Sequence, residues 1–304
     1  MTETPTTAHT PKRRFLLYGG TGWIGQKLMA LLASQRDHCD VGRARLEDRA
    51  AVAAEVRTLA PTHVINAAGV TGRPNVDWCE THQAETIRAN VVGCLNVVDV
   101  CHEASQDGRV TPIHCTVIGS GCIFTYDDAH PMHSDKLFTE DDRGNFTGSF
   151  YAKTKGMLEE MLRSYPNVCV LRFRMPLSDD LHERSLLTKL LHYPKVINIP
   201  NSITVLHDLL PAVVLLAKQR NVGVFNFTNP GVVSHNELLD LYIQYIDKSY
   251  VYTNFGAADE AALCQSRSNV ALDSSKLQAA LGSNLVIPHI TASLYALFRR
   301  MAQH

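Results

Sequence analysis

The chain has 304 residues, of which 45% are hydrophobic and 19% are charged. This balance is typical of a globular protein and excludes a disordered or fibrous chain. The 29 basic and 30 acidic residues give a net charge of −1 without a long basic run, so nucleic acid is not an expected partner. Eight scattered cysteines and 14 histidines form neither a CxxC pair nor an HExxH motif. We therefore expect reduced thiols, a cytoplasmic location and no metal site.

Residues 1–12 are polar and rich in threonine, so the sequence predicts a disordered tail over this segment. No purely apolar stretch approaches the roughly 18 residues that a membrane-spanning helix needs. We therefore expect no membrane partner.

From residue 13 onward, short apolar runs alternate with segments of helical periodicity. Such alternation is typical of a parallel sheet with helices on both faces. The predicted fold class is therefore α/β, a Rossmann-type doubly wound parallel sheet. The predicted strands are 15–18, a second one ending near 40–41, 63–67, 113–118, 168–173 and 224–227. The predicted helices are 23–33, 50–59, 84–101, 151–164, 185–191, 208–218, 234–246 and 290–302.

The regular alternation loosens after residue 175. We expect residues 13–175, joined by the returning strand near 224–227, to form an NAD(P)-binding domain. Residues 176–304 are then mostly a smaller substrate-binding lobe that is interleaved with the first domain.

A glycine-rich loop directly follows the first predicted strand and opens a helix. Glycines at this spacing let the backbone turn tightly and approach a pyrophosphate, whose charge is met by the helix N-terminus. A merely structural turn is the alternative, but the position at the start of a βαβ series favours a dinucleotide. The predicted cofactor-binding residues of this loop are Gly19, Thr21, Gly22, Trp23, Ile24 and Gly25.

The residues at the end of the second strand determine which nicotinamide cofactor is bound, NADH or NADPH. An acidic residue there binds the ribose of NADH, whereas arginine accommodates the additional phosphate of NADPH. Arg43 and Arg45 follow the strand and favour NADPH, while Asp40 keeps NADH possible. Leu46 lies where the adenine edge rests, and a path of small residues for the ribose and pyrophosphate ends the third strand: Ala67, Ala68 and Gly69.

Tyr151 and Lys155 form a YxxxK motif, which places both side chains on one face of a helix. A lysine cation there lowers the pKa of the phenol from about 10, so that Tyr151 can pass a proton to a carbonyl oxygen that becomes an alkoxide. Ser120 follows the fourth strand at the carboxyl edge of the sheet, where its hydroxyl can hold the same carbonyl. Glycine loop, serine, tyrosine and lysine in this order resemble the extended short-chain dehydrogenase/reductase family.

Cys122 stands two residues after Ser120. The pattern resembles reductases of 4-keto-6-deoxy sugar nucleotides that also epimerise their substrate, such as GDP-fucose synthase. A buried apolar thiol is the alternative interpretation. The resemblance is closer to the plant-type nucleotide-rhamnose synthase/epimerase-reductases. It runs from about residue 14 to the last helix and is carried by the stretches 66–80, 145–151, 196–202 and 225–237.

This resemblance implies conversion of UDP-4-keto-6-deoxy-D-glucose, or its dTDP analogue, to the β-L-rhamnose nucleotide by 3,5-epimerisation and 4-reduction. It implies that Cys122 and Lys189 are the two acid/base groups of the epimerisation. The plant enzymes carry threonine where this chain has Ser120, so the hydroxyl is retained. The resemblance and the position of the residues together give six predicted substrate-binding residues: Arg73, Asn75, Asn201, Ser202, Val205 and Arg267.

Two other functions remain open from the sequence. A monofunctional reductase similar to dTDP-4-dehydrorhamnose reductase would not need Cys122. A non-catalytic cofactor-binding regulatory subunit would need neither Ser120 nor the Tyr151/Lys155 pair. For the bifunctional enzyme, the resemblance implies a separate 4,6-dehydratase upstream and a homodimer formed through the helices 84–101 and 151–164.

Overall fold

A single parallel sheet organises the chain. The computed structural model describes residues 13–106 and 112–303, so the predicted tail 1–12 lies outside the described residues. Within this part of the chain the sheet has six strands in the order β2-β1-β3-β4-β5-β6, all paired in parallel. The predicted Rossmann-type fold is confirmed. The strands are β1 (Arg14–Tyr18), β2 (His38–Val41), β3 (His63–Asn66), β4 (His114–Ser120), β5 (Val168–Phe173) and β6 (Gly223–Phe227).

The helices agree with the periodicity of the sequence in most places. The predicted helix 84–101 contains a π-helical segment, Ile87–Val92, whose wider turn a 3.6-residue period does not reveal. Three short helices were not predicted: α3 (Trp78–Thr81), α10 (Ala257–Cys264) and α11 (Ser275–Leu281). The helices are α1 (Trp23–Ser34), α2 (Arg49–Leu59), α3 (Trp78–Thr81), α4 (Gln83–Thr86), α5 (Gly93–Gln106), α6 (Phe150–Leu162), α7 (Leu186–His192), α8 (Leu206–Gln219), α9 (His235–Tyr245), α10 (Ala257–Cys264), α11 (Ser275–Leu281) and α12 (Ile290–Met301).

Side chains alternate between the two faces of the sheet, and helices cover both faces. Phe15 and Leu17 of β1 pack with α1, α8 and α11 on one face. Leu16 and Tyr18 point the other way and pack with α2, α5 and α6. Although α8 and α11 follow residue 175, they therefore belong to the layer that covers the sheet.

A third apolar cluster lies among α7, α9 and α12. Leu187, Leu238 and Leu294 are at its centre and are at most 1% exposed. This cluster fixes the segments that follow β5 beside the carboxyl edge of the sheet. The edge and these segments together form the walls of the site.

Candidate active site

Two adjoining cavities open at the carboxyl edge of the sheet. The first, of about 370 Å³, extends from the glycine loop to Tyr151 and is called the loop cavity. The second, of about 310 Å³, lies between Tyr151 and the segments after β5, with Asn75, His235 and Arg267 in its walls, and is called the lobe cavity. Six residues line both cavities and define their junction: Val76, Cys122, Tyr151, Met175, Leu186 and Lys189.

The glycine loop has the geometry that a dinucleotide needs. Gly19 has φ +79°, and a Cβ there would lie 2.5 Å from the backbone nitrogen of Ala68. A Cβ at Gly25 would lie 2.1 Å from the carbonyl oxygen of Gly19. Only glycine therefore fits at these two positions. The loop can pass close to the end of β3, and the N-terminus of α1 is open to the cavity.

The loop cavity brings together most of the predicted cofactor-binding residues. Those in its wall are Gly22, Trp23, Ile24, Gly25, Ala67, Ala68, Gly69, Tyr151 and Lys155. Gly19 instead shapes the loop, and Thr21 is exposed beside it. This lining runs from a helix N-terminus to a tyrosine and a lysine, so the residues present fit a nicotinamide dinucleotide.

The predicted adenosine end lies after β2. Arg43 and Arg45 are exposed there, and the backbone N–H of Arg43 donates to Glu55 Oε1 at 2.8 Å. Asp40 faces His38, with 3.1 Å between its Oδ2 and the ring Nε2. Leu46 is 8% exposed and packs in the core beneath this loop. The two arginines are thus the first charged side chains after the strand.

Ser120, the last residue of β4, lies beside Tyr151, in the first turn of α6, and both line the loop cavity. The Ser149 hydroxyl caps α6 by accepting from the Ala152 N–H at 3.2 Å. Burial raises the pKa of the Tyr151 phenol, and the nearby Cys122 raises it further, while a hydrogen bond with Ser120 opposes both. Tyr151 is therefore protonated at neutral pH, as a proton donor must be.

Lys155 lies one turn after Tyr151, with its Nζ 6.0 Å from the centre of the phenol ring. Burial lowers the pKa of Lys155. The sequence predicts that this lysine lowers the pKa of Tyr151, but in the structure that pKa is raised, with burial as the largest cause.

Cys122 and Lys189 both line the junction of the cavities. The backbone N–H of Cys122 donates to Ser120 Oγ at 3.1 Å, which fixes the main chain of Cys122 beside the hydroxyl. Lys189 reaches the junction from α7, and burial, assisted by Arg184, lowers the pKa of its ammonium. The structure thus brings together all five predicted catalytic residues: Ser120, Cys122, Tyr151, Lys155 and Lys189.

The predicted substrate-binding residues separate into three groups. Asn75 and Arg267 line the lobe cavity, and Arg267 pairs with Asp77 at 2.6 Å. Arg73 is 73% exposed and pairs with Glu183 at 3.2 Å, outside the cavity lining.

Asn201, Ser202 and Val205 are 0% exposed. Their polar groups form hydrogen bonds within the protein. Asn201 Oδ1 accepts from the N–H of Val270 at 2.9 Å, and Ser202 Oγ accepts from that of Leu272 at 2.9 Å. The N–H of Val205 donates to Asn229 at 2.9 Å. These residues join segments of the fold and lie outside the lining of both cavities, so their contact with the nucleotide stays a prediction.

Arg174 and His235 line the lobe cavity and were not predicted from the sequence. His235 begins α9, is 8% exposed, and has no hydrogen-bond partner at either ring nitrogen among the described residues. Burial, assisted by the Arg174 charge, lowers the pKa of His235 to about 4, so the ring is neutral. The signal for Arg174 was its place directly after β5, at the same edge as Ser120.

No described helix meets the length and hydropathy of a membrane span. Within the described ranges, no three His, Cys, Asp or Glu side chains are grouped so as to hold a metal ion.

Comparisons with known proteins agree with this geometry. Residues 15–179 match the NAD dependent epimerase/dehydratase family. A bifunctional dTDP-4-dehydrorhamnose 3,5-epimerase/dTDP-4-dehydrorhamnose reductase of Arabidopsis thaliana is 51% identical over 266 residues, which are 87% of this chain and 86% of that protein. The crystal structure of the L780 UDP-rhamnose synthase of Acanthamoeba polyphaga mimivirus superposes with a TM-score of 0.85 at 32% identity, covering 94% of this chain and 98% of that one.

A trifunctional UDP-glucose 4,6-dehydratase/UDP-4-keto-6-deoxy-D-glucose 3,5-epimerase/UDP-4-keto-L-rhamnose-reductase of Arabidopsis thaliana is 50% identical over 274 residues. The alignment covers 90% of this chain but 40% of that protein, so the chain matches less than half of its trifunctional relatives.

The chain belongs to the NAD dependent epimerase/dehydratase family. Its relatives at 50% and 51% sequence identity are enzymes of nucleotide-rhamnose synthesis. The resemblance predicted from the sequence is confirmed.

Proposed function

We propose that the chain is a bifunctional 3,5-epimerase and 4-reductase. It converts UDP-4-keto-6-deoxy-D-glucose, or the dTDP analogue, to the β-L-rhamnose nucleotide with NADPH. The observation that carries this proposal is the junction of the two cavities, where Cys122 and Lys189 meet Tyr151. One junction therefore offers an oxyanion site, a proton donor to oxygen and two further acid/base groups.

The epimerisation uses the acidity of the carbons beside the ketone. The protons on C3 and C5 are both α to the C4 carbonyl, so removal of either gives an enolate with its negative charge on O4. Ser120 and Tyr151 stabilise that oxygen. Inversion needs one group to remove the proton and another to return a proton on the opposite face, and Cys122 and Lys189 supply this pair.

The reduction uses the same oxygen site. The nicotinamide supplies a hydride to C4 when NADPH is bound. Tyr151 gives its proton to O4, Ser120 holds the oxygen, and Lys155 provides positive charge behind the phenol. Arg43 and Arg45 contact the 2′-phosphate and select NADPH over NADH.

The lobe cavity takes the sugar nucleotide. Arg267 and Asn75 offer hydrogen bonds to the diphosphate and the sugar. The neutral His235 offers both ring nitrogens to a sugar hydroxyl, which accounts for a buried imidazole without a partner among the described residues. We also assign residues 13–175 and β6 mainly to the cofactor and residues 176–304 mainly to the substrate.

Cys122 distinguishes this proposal from a monofunctional 4-reductase, which needs no acid/base thiol beside the ketone. The presence of Ser120, Tyr151 and Lys155 in the wall of one cavity favours an enzyme over a regulatory subunit. The trifunctional relatives are named for a 4,6-dehydratase activity as well. We propose that a separate dehydratase supplies the 4-keto substrate.

We further propose a cytoplasmic homodimer. Exposed apolar side chains gather on the π-helical segment and the adjacent α6: Ile87 (41% exposed), Val92 (39%), Met157 (58%) and Met161 (38%). Burying this surface against a second copy stabilises the pair. Sedimentation of the native chain and of Met157→Lys tests this assignment.

The function is tested by incubating the purified protein with NADPH and either UDP- or dTDP-4-keto-6-deoxyglucose, and identifying the product by NMR. We expect the β-L-rhamnose nucleotide. A product reduced at C4 but with its C3 and C5 configuration unchanged would favour the monofunctional reductase, and no loss of NADPH would favour the regulatory subunit.

A further inference from the structure

Arg174 follows β5 directly and is 1% exposed. Its Nη2 donates to Asn201 Oδ1 at 2.5 Å and to the carbonyl oxygen of Ser268 at 2.6 Å. Its Nη1 lies 2.9 Å from Cys122 Sγ, and its Nε is buried without a partner among the described residues. Two neutral acceptors thus fix the guanidinium so that its other end points at the thiol.

A buried guanidinium is costly unless an anion compensates its charge. Arg172, two residues earlier, is 0% exposed and shows the common arrangement: Glu159 receives it with both carboxylate oxygens, at 2.7 and 2.9 Å. Across residues 13–106 and 112–303, no carboxylate lies within ion-pair distance of Arg174. Cys122 is the ionisable acid that its guanidinium touches.

We infer that Arg174 is a positioning residue that keeps Cys122 as its thiolate at neutral pH. The anion compensates the buried guanidinium, and the guanidinium in turn stabilises the anion. The use of this thiolate in epimerisation rests on the proposed function, whereas the charge state of Cys122 does not.

Among the described residues, Lys189 from α7 and Tyr151 from α6 are the other ionisable groups that interact with Cys122. Lys189 adds positive charge, and Tyr151 is neutral because burial raises its pKa. His235, which feels the Arg174 charge, is neutral as well. The charges around the thiol are therefore cationic, and all of them favour the thiolate.

In this assignment Cys122 is the base of the epimerisation and Lys189 is the acid. The thiolate takes the proton from C3 or C5, and the C–H electron pair moves into an enolate whose charge rests on O4. The Lys189 ammonium then returns a proton to the opposite face of the same carbon, so the enolate becomes a ketone again. Cys122 ends as a thiol and Lys189 as an amine, and proton exchange between them or with water restores both.

The test is a titration of Cys122 in the protein without substrate. The ultraviolet absorbance of the thiolate is followed against pH in the native chain and in Cys122→Ala, and the difference isolates Cys122 from the other seven cysteines. The titration is repeated with Arg174→Met, which keeps the length of the side chain, and with Arg174→Lys, which keeps the charge. Each of these variants is measured with and without Cys122→Ala, so that the difference again isolates Cys122. Circular dichroism and thermal unfolding report whether each variant is folded.

We expect Arg174→Met to raise the midpoint of the Cys122 ionisation above that of the native chain, and Arg174→Lys to lie between the two. With substrate in D₂O, the acid limb of the deuterium-incorporation profile should move in the same order.

A native midpoint at or above about 8.5 would overturn the inference, and so would an unchanged midpoint in folded Arg174→Met. If Arg174→Met does not fold, the inference is tested by the midpoint of the native chain and by the midpoint of Arg174→Lys. A low native midpoint in a protein that incorporates no deuterium would support the thiolate and contradict the proposed epimerase function.

Discussion

The indole N–H of Trp23 donates a hydrogen bond of 2.8 Å to Asp180, which lies 157 residues further along the chain. The same ring stacks on His182 with 5.0 Å between centroids, and Lys27 pairs with Asp180 at 2.7 Å. Since Trp23 lines the loop cavity, these contacts join the glycine loop to the segment after β5 and hold one side of that cavity.

Loss of this contact should weaken the binding of NADPH. Trp23→Phe keeps an aromatic ring on His182 but removes the donor to Asp180. We expect NADPH to dissociate several-fold faster, because the segment over the cavity loses a part-buried hydrogen bond of about 1 kcal/mol. Stopped-flow fluorescence measures the rate, and Trp78→Phe, at the other tryptophan, is the control. An unchanged rate would show that the contact does not retain the cofactor.

Tyr151→Phe should remove the proton donor while it keeps the buried ring. We expect C4 reduction to fall by about 10² to 10⁴-fold, as is usual when a general acid is lost. The loss of NADPH absorbance with a pre-epimerised 4-keto nucleotide measures the step. Lys155→Ala should also weaken cofactor binding. Reduction by Tyr151→Phe at the native rate would contradict the assignment.

Arg43 and Arg45 should determine the preference for NADPH. Replacing both with alanine removes two charge-assisted contacts to the 2′-phosphate. We expect a higher KM for NADPH with little change for NADH, measured in parallel with the same nucleotide sugar. Arg57→Ala, on the adjacent α2, controls for the loss of charge. If the native chain and the double variant each used NADPH and NADH equally well, the proposed contact of the two arginines with the 2′-phosphate would be refuted.

Two buried histidines at the amino-terminal edge of the sheet should make the fold sensitive to acid. Burial lowers the pKa of His63 from 6.5 to about 3, and that of His114 from 6.5 to about 4. Below pH 6.5 the unfolded chain binds protons that the folded chain does not. Stability that is present above pH 6.5 is therefore lost as the pH falls, by about 1.4 kcal/mol per pH unit for each fully titrating histidine.

Urea unfolding at pH 7 and pH 5 measures this loss. His63→Gln should reduce the difference between the two pH values, whereas His192→Gln, at an exposed histidine, should leave it unchanged. An equal loss of stability in native protein and in His63→Gln would show that His63 is not responsible.

The sequence predicts the sheet and much of the junction because these features depend on local patterns. Ser120, Tyr151 and Lys155 stand at fixed places after a strand and on a helix, so their meeting follows from the parallel topology. Arg174 was not predicted because its burial depends on Asn201 and Ser268, which are 27 and 94 residues away. An isolated arginine in a sequence indicates a surface position.

The burial of Asn201, Ser202 and Val205 also depends on distant parts of the chain. The resemblance implies that the stretch containing them contacts the nucleotide. In the structure this stretch crosses the interior, where its amide and hydroxyl groups satisfy the backbone of distant segments. Only the folded chain reveals that these hydrogen-bonding groups are already occupied.

The central claim is that Cys122 carries a proton in epimerisation. Cys122→Ala removes the thiol, changes the side-chain volume little and leaves Ser120, Tyr151 and Lys155 in place. The decisive measurement is deuterium incorporation at C3 and C5 of the product in D₂O, read by NMR. We expect incorporation at both carbons with the native chain and its loss at one or both with Cys122→Ala, while reduction of a pre-epimerised 4-keto-L-rhamnose nucleotide continues. Unchanged incorporation in Cys122→Ala would contradict the bifunctional mechanism and leave Cys122 as a packed thiol.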